Sequence, residues 1–210
     1  MRTILSDELI NFGKEYVLGN IKKIDDPLFE NIFLSYLNDL NSSSLREAIT
    51  CKIIGCKWNP NKLGDDGFDS ETNSIKEIKP KYIYDEKKSN GSGNFGDLTH
   101  SRLDAYISKN ITIVTSLFVK NHLIYIIEFP IKIIEKKLRD QLIQKCDIEG
   151  NRYCRSAMFN YKDYIEHEET KILFVNKHLL NLLNCVPKNF LLCIDKKLNL
   201  NSIPLYYEPI

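Results

Sequence analysis

The chain has 210 residues, of which 43% are hydrophobic and 27% are charged, which is ordinary for a globular protein with a hydrophobic core. Its formal net charge of +1 argues against a globally basic nucleic-acid-binding protein, so any DNA contact must come from a local patch. No run approaches the ~18 apolar residues that a membrane span needs, and charges interrupt the N-terminus too early for a signal peptide. We therefore expect a cytoplasmic protein without a membrane partner, whose six cysteines are reduced thiols.

The N-terminal part, residues 1–56, carries signals for the start of helices. Ser6 precedes an amphipathic stretch, and Asp26 precedes a proline in the position typical of a first helical turn. Ser44 and Glu47 match a capping box before a third helix. The sequence therefore predicts a helical N-terminal part.

Residues 64–79 predict a β-hairpin with charged side chains on one face. Alternate residues of a strand share a face, so Glu77 and Lys79 point the same way. A turn at residues 72–73 or 71–74 would put Asp66 opposite Lys79 and on that same face. A loop of odd length, or a bulge, would bring in Asp69 instead. We expect an even-numbered loop and therefore Asp66.

Two carboxylates beside an amine suit metal-dependent phosphodiester chemistry. Mg²⁺ prefers oxygen ligands and usually takes one or two protein carboxylates together with waters and phosphate oxygens. A neighbouring lysine can orient a metal-bound water and stabilise charge on a pentavalent phosphate. The hairpin thus predicts a catalytic group of Asp66, Glu77 and Lys79.

The remaining elements follow from apolar periodicity and turn signals. Pro80 should end the strand or place it at an edge. After it we predict a glycine-rich loop at 85–96, a helix capped by Asp97, a hairpin of 111–119 and 123–129 around Lys120-Asn121, an amphipathic helix at 131–145, an extended run at 153–164, a strand at 171–175, a helix at 177–184, a strand at 190–194 and an irregular end over the last 15 residues.

The order of these elements favours an α/β protein with a mixed central β-sheet flanked by helices. We expect one domain over 1–210, with a helical part at 1–56 and a catalytic α/β core with DNA-binding elements at 57–210.

Asp66 followed after a turn by Glu77-Ile78-Lys79 resembles the PD-(D/E)xK nuclease superfamily, which includes most type II restriction endonucleases. Asp65 stands where that motif usually has proline. The resemblance implies a restriction-endonuclease-like core and Mg²⁺-dependent, sequence-specific hydrolysis of double-stranded DNA to 5′-phosphate ends. It implies a homodimer without a nucleotide cofactor, and an upstream helix that supplies a third acidic ligand. Glu47 is placed for that role, and its alternative is a local cap residue.

Candidate DNA-binding residues surround the hairpin. Glycines in the following loop let the backbone approach a phosphate closely, and polar donors near a metal strand are typical of contacts to phosphates and base edges. The alternative is a flexible surface loop. The candidates are Lys81, Ser92, Asn94, Thr99, His100, Arg102 and Arg155.

Two other functions remain open at this point. One is a DNA repair, junction-resolving or phage nuclease of the same fold. The other is a non-catalytic binding or interaction protein in which the hairpin is a charged turn.

Overall fold

A computed structural model describes residues 5–61, 65–84 and 87–200, with the side chain of residue 200 left out. The strands are β1 Lys57–Trp58, β2 Gly67–Asp69, β3 Ser74–Ile83, β4 Gly93–Leu98, β5 Thr112–Val119, β6 His122–Pro130, β7 Cys154–Phe159 and β8 Lys171–Val175. The α-helices are α1 Asp7–Val17, α2 Pro27–Leu37, α3 Ser44–Ile53, α4 His100–Ser108, α5 Glu135–Leu142, α6 Lys177–Leu182 and α7 Lys188–Leu200. Two 3₁₀ turns, Ile131–Ile134 and Tyr161–Asp163, and a π-helical stretch, Ile143–Ile148, complete these ranges.

The central sheet has the order β1-β2-β3-β5-β6-β8. β3 and β5 run parallel, joined by a crossover that contains β4 and α4, and the other neighbours are antiparallel. β4 and β7 form a separate antiparallel pair. The α/β class with a mixed central sheet flanked by helices is therefore confirmed.

Hydrophobic cores lie on both faces of the sheet. On one face, Ile78 and Val114 of the sheet belong to the same buried cluster as Phe33 and Ile49 of the N-terminal helices. On the other, Ile113 and Leu117 join Phe95, Phe159 and Phe190 from β4, β7 and α7. Because both faces are covered, β5 and β6 read as nearly continuous apolar runs.

Several local predictions are confirmed. The Ser6 hydroxyl accepts from the Leu9 amide at 3.2 Å, and the Asp26 carboxylate accepts from two amides of the first turn of α2. Lys120 and Asn121 take positive φ values of 46° and 71°, as a tight β5–β6 turn requires. The six cysteines are all free thiols.

The C-terminal prediction was wrong, because residues 190–194 belong to helix α7 and not to a strand. Phe190 and Ile194 are buried and lie four residues apart, and Leu191 and Leu198 pack beside them. A short apolar run does not distinguish a strand from a buried helix. Residues 201–210 of the predicted irregular end lie outside the described residues, and 196–200 are helical.

The loop predicted at 85–96 was also too long. β4 begins at Gly93, and Asp97 lies within it at φ 49°. Thr99, not Asp97, caps α4 by accepting from the Arg102 amide at 3.2 Å. Residues 85–86 lie outside the described part of the chain.

Three further predictions were correct in type and inexact in length. The run at 153–164 is β7 followed by a 3₁₀ turn, and the helix at 177–184 ends at Leu182. The amphipathic helix after Pro130 starts as a 3₁₀ turn and ends as a π-helix. Among the described residues, no helix combines the length and the apolar character that crossing a bilayer requires.

Candidate active site

The register of the hairpin decides which acid joins Glu77 and Lys79. Gly67 pairs with Lys76 and Asp69 with Ser74, so residues 70–73 form a turn of even length. Continued by one residue, this register puts Asp66 opposite Glu77, and therefore on the face of Glu77 and Lys79. The predicted face is right, but the predicted partner was Lys79, two residues further on.

The turn lies at residues 70–73, nearer the start of the hairpin than predicted, because the Asp69 side chain closes it. The Asp69 Oδ1 atom accepts from the Glu71 amide at 2.9 Å and from the Thr72 amide at 3.2 Å, and Asn73 takes φ 50°. Aspartate commonly caps its own turn in this way. Such local hydrogen bonding decided the position of the turn, which the charge pattern alone did not show.

Asp69 therefore stabilises the hairpin and does not join the candidate site. Its Oδ2 atom lies 3.9 Å from the Lys76 ammonium, which is itself 3.0 Å from Glu128 Oε2. Lys76 is on the opposite face from Glu77. The structure brings Asp66, and not Asp69, beside Glu77 and Lys79.

Asp66, Glu77 and Lys79 form a compact charged group. Asp66 and Glu77 are each 5% exposed. The Asp66 Oδ2 atom accepts from the Ile78 amide at 2.9 Å, which holds the carboxylate alongside β3. The Lys79 Nζ atom lies 2.5 Å from Glu77 Oε1.

Burial sets the protonation behaviour of this group. Burial raises the pKa of Glu77, the Lys79 ammonium lowers it, and the negative charge of Asp66 raises it again, with a net rise above the ordinary value of 4.5. A desolvated carboxylate beside a second carboxylate favours a bound cation, since a cation offsets both effects.

β3 is open on one side at this group. In the described residues β2 pairs with β3 only up to Lys76, while β5 pairs with β3 from Lys76 to Ile83. The Ile78 amide points toward Asp66 on the open side, and amides two residues apart point the same way. Pro80 therefore faces an edge that needs no hydrogen-bond donor. The strand continues through Pro80 to Ile83. The prediction that Pro80 lies at an edge is therefore confirmed, and the alternative that Pro80 ends the strand was wrong.

A cleft of about 400 Å³ lies along this open edge. Both Ile78, whose amide binds Asp66, and Lys79, which pairs with Glu77, line it. Helix α3 and the β4–β7 pair form its sides. The complete lining is Ser43, Glu47, Ile78, Lys79, Pro80, Lys81, Ser92, Gly93, Asn94, Ser156 and Met158.

Helix α3 carries Glu47 to the cleft. The Thr50 and Ser116 hydroxyls, both buried, are 2.9 Å apart and join α3 to β5. The predicted capping box is not formed, because Ser43 is the N-cap, and its hydroxyl donates to Glu47 Oε1 at 2.5 Å. Within the described residues no three Asp, Glu, His or Cys side chains form a group able to hold a metal ion. Glu47 thus lines the cleft without joining Asp66 and Glu77 in such a group.

Residues 89–92, just before β4, are held by hydrogen bonds to other parts of the chain. The Ser89 amide donates to the Cys185 carbonyl at 2.7 Å, and the Tyr164 hydroxyl donates to the Gly91 carbonyl at 2.9 Å. Gly91 takes φ 61°, and a Cβ there would lie 2.5 Å from the Tyr164 hydroxyl. These contacts fix the positions of Ser92 and Asn94 in the wall of the cleft.

The DNA-binding candidates fall into two sets. Lys81, Ser92 and Asn94 line the cleft, and Arg155 of β7 is exposed. The other three make local contacts. Thr99 caps α4, His100 lies 3.2 Å from Asp147, and Arg102 donates to the Gly96 carbonyl and the Tyr106 hydroxyl, both at 2.8 Å.

Tyr106 of α4 was not identified as a site residue from the sequence, yet it belongs to the surroundings of the site. Burial, followed by the negative charge of Glu77, raises the pKa of Tyr106 to about 12. Ser43 and Met158 were likewise not identified. No local sequence signal separates these residues from other core or surface positions, because their place depends on how β4, β7 and α3 pack.

No protein-family model matches this chain, and no curated protein matches it significantly.

Proposed function

We propose that this protein is a Mg²⁺-dependent, sequence-specific endonuclease that hydrolyses double-stranded DNA to 5′-phosphate ends. The observation that carries the proposal is the gathering of Asp66, Glu77 and Lys79 beside a polar cleft at the open edge of β3. The resemblance of these residues to a nuclease motif was noted in the sequence, and the hairpin register is compatible with it.

Asp66 and Glu77 would hold the metal. Both are oxygen donors, and two carboxylates are enough for Mg²⁺, which keeps several waters. The raised pKa of Glu77 reflects a desolvated carboxylate, whose negative charge a cation would stabilise. Mg²⁺ would polarise a phosphate and acidify a water.

Lys79 would stabilise charge on the phosphate and orient the attacking water. Its ammonium is held between Glu77, at 2.5 Å, and the Phe95 ring, 4.8 Å from the ring centre. A cation fixed in a partly desolvated site stabilises developing negative charge better than one in water. Lys79 also lines the cleft, where a phosphate would lie.

Glu47 and Lys81 would act from the walls of the cleft. Glu47, held by Ser43, could contact metal-bound water without ligating the metal itself. Lys81, with Ser92 and Asn94 across the cleft, offers donors to phosphate oxygens. Cutting both strands of a duplex symmetrically would call for a homodimer.

The test is digestion of a plasmid of known sequence with Mg²⁺, followed by mapping of the ends. We expect discrete fragments whose ends share one sequence. Asp66→Asn, Glu77→Gln and Lys79→Met should each lower the cleavage rate by roughly 10²-fold or more. The matched controls are Asp69→Asn, on the other face of the hairpin, and Glu71→Gln, exposed in the turn.

Equal rates for the site variants and the controls would contradict the proposal, provided that circular dichroism shows folded protein. If the protein cleaves branched DNA but neither linear nor plasmid duplex, its activity would be junction resolution and not sequence-specific cutting.

A further inference from the structure

The cleft at β3 adjoins two other cavities on β7. Ser156 lines it together with two other cavities, of about 260 Å³ and 560 Å³. The smaller lies against α5 and the π-helical stretch, and the larger lies at the start of β7. We call these three neighbouring cavities, which share Ser156, the β7 groove. The charged side chains that line the two distal cavities are Lys137, Asp140, Lys145, Glu149, Arg152 and Arg155.

The distal part of the β7 groove is positively charged. Its lining holds four cations and two carboxylates. Lys145 is neutralised by Glu149, at 2.8 Å. Arg152 and Arg155 are exposed and form no ion pair with any residue in the described ranges. Two unneutralised guanidinium groups at one end of a groove are suited to binding phosphates, which they can contact through two hydrogen bonds each.

The floor of the β7 groove is low and polar. Asn94 of β4 pairs with Met158 of β7, and Ser156 is its diagonal neighbour, with Asn94 Nδ2 3.4 Å from Ser156 Oγ. Beside them Gly96 has no atom within 4 Å of where a Cβ would lie. Tyr153, 42% exposed, stands at the distal end. Small polar side chains let a sugar-phosphate backbone come close, and an exposed ring offers it a contact surface.

The length of the groove fits a short stretch of duplex. Met158 lines the cleft and Arg152 the distal end, so six residue steps separate them, at most roughly 20 Å. At about 3.4 Å per base pair this corresponds to at most about six base pairs.

We infer that the β7 groove binds the backbone of a DNA duplex over at most about six base pairs from the candidate active site, and that Arg152 and Arg155 bind its distal phosphates. This inference rests on the proposed function for its direction, since the scissile phosphate would lie near Lys79. It adds a second point of contact, away from Asp66 and Glu77. This second contact would set the position of the duplex.

The experiment measures binding apart from cleavage. A fluorescent duplex of about 30 base pairs and mixed sequence is titrated in Ca²⁺, over a range of NaCl concentrations. The double variant Arg152→Ala/Arg155→Ala should bind roughly tenfold or more weakly, and its slope of log affinity against log salt should fall by about 2. The matched control is Lys22→Ala/Lys23→Ala, which removes the same charge from an exposed loop far along the chain and should change affinity by less than about twofold.

The outcomes separate this inference from the proposed nuclease. If the arginine variant binds with unchanged affinity and slope while the wild type cleaves DNA, the inference that the β7 groove binds DNA is wrong. The proposed nuclease activity is then unaffected. Weakened binding in that variant, without cleavage by the wild type in Mg²⁺, supports the groove and overturns the hydrolysis. Absence of DNA binding by the wild type overturns the groove.

Discussion

At the scale of single residues, Gly93 sets how closely β4 approaches the candidate active site. A Cβ at this position would lie 2.4 Å from Phe159 Cζ and 3.2 Å from the Lys79 Cβ. The sequence predicted that glycines here allow a close approach to a phosphate. The structure shows a close approach to an aromatic ring and to Lys79 itself.

We therefore expect Gly93→Ala to lower the free energy of unfolding by about 1–3 kcal/mol, because the added methyl group must displace Phe159 or Lys79. Urea denaturation measures this change. Gly96→Ala is the matched control, since nothing lies within 4 Å of its Cβ position, and it should change the free energy by less than about 0.5 kcal/mol. Equal effects at the two positions would show that β4 does not depend on the close approach.

At the scale of elements, a side chain of α5 completes the edge of the β4–β7 pair. The Met158 amide donates to Gln141 Oε1 at 2.8 Å, and Gln141 Nε2 donates to the Met158 carbonyl at 2.9 Å. These two bonds replace those that a further strand would make. They connect α5 to the strand that carries Ser156 and Met158 into the cleft.

Gln141→Ala should destabilise the protein by about 1 kcal/mol, because it leaves the Met158 amide and carbonyl with water or no partner. Amide hydrogen exchange should become faster in β7, with the largest increase at Met158. Gln144→Ala provides the comparison. Gln144 is exposed, and within the described residues its side chain hydrogen-bonds only to Glu149, at 3.3 Å. Exchange in β7 that is equally slow in both variants would rule out this role for Gln141.

How far the elements could be predicted depended on how local their signals are. The caps at Ser6 and Asp26 and the β5–β6 turn lie within a few residues of sequence, and they were predicted correctly. The α7 helix was not, because its apolar residues fit both a strand and a helix until Phe190 packs against Tyr125, at 5.7 Å between ring centres. The position of the β2–β3 turn depended on the side chain of Asp69, and the charge pattern did not reveal it.

At the scale of the whole molecule, the buried carboxylate of Glu77 couples stability to pH. Its pKa is raised by burial above 4.5 in the folded protein, so between 4.5 and the raised value the folded state binds more protons than the unfolded state. The free energy of unfolding contributed by this group therefore falls as pH rises through that window, and the loss is complete above the folded pKa.

Removing the carboxylate should remove that loss. We expect the free energy of unfolding of Glu77→Gln, relative to wild type, to increase with pH from 4.5 upward and then level off, as measured by urea denaturation between about pH 4 and 8. Glu71→Gln, which removes an exposed carboxylate from the same hairpin, controls for the change in net charge. A difference between Glu77→Gln and wild type that does not vary with pH would contradict the raised pKa.

The sequence by itself determined that Glu77 and Lys79 share one face of a strand, that an acid from the preceding arm joins them, and that helices come first in the chain. Periodicity and capping are properties of neighbouring residues, so a short stretch of sequence is sufficient to encode them. The tertiary structure alone decided that Asp66 lies opposite Glu77, that α3 brings Glu47 to the cleft through the Thr50–Ser116 contact, and that β4 and β7 extend the cleft into a groove. These contacts join residues far apart in the chain, and they form only when whole elements pack, which no local pattern specifies.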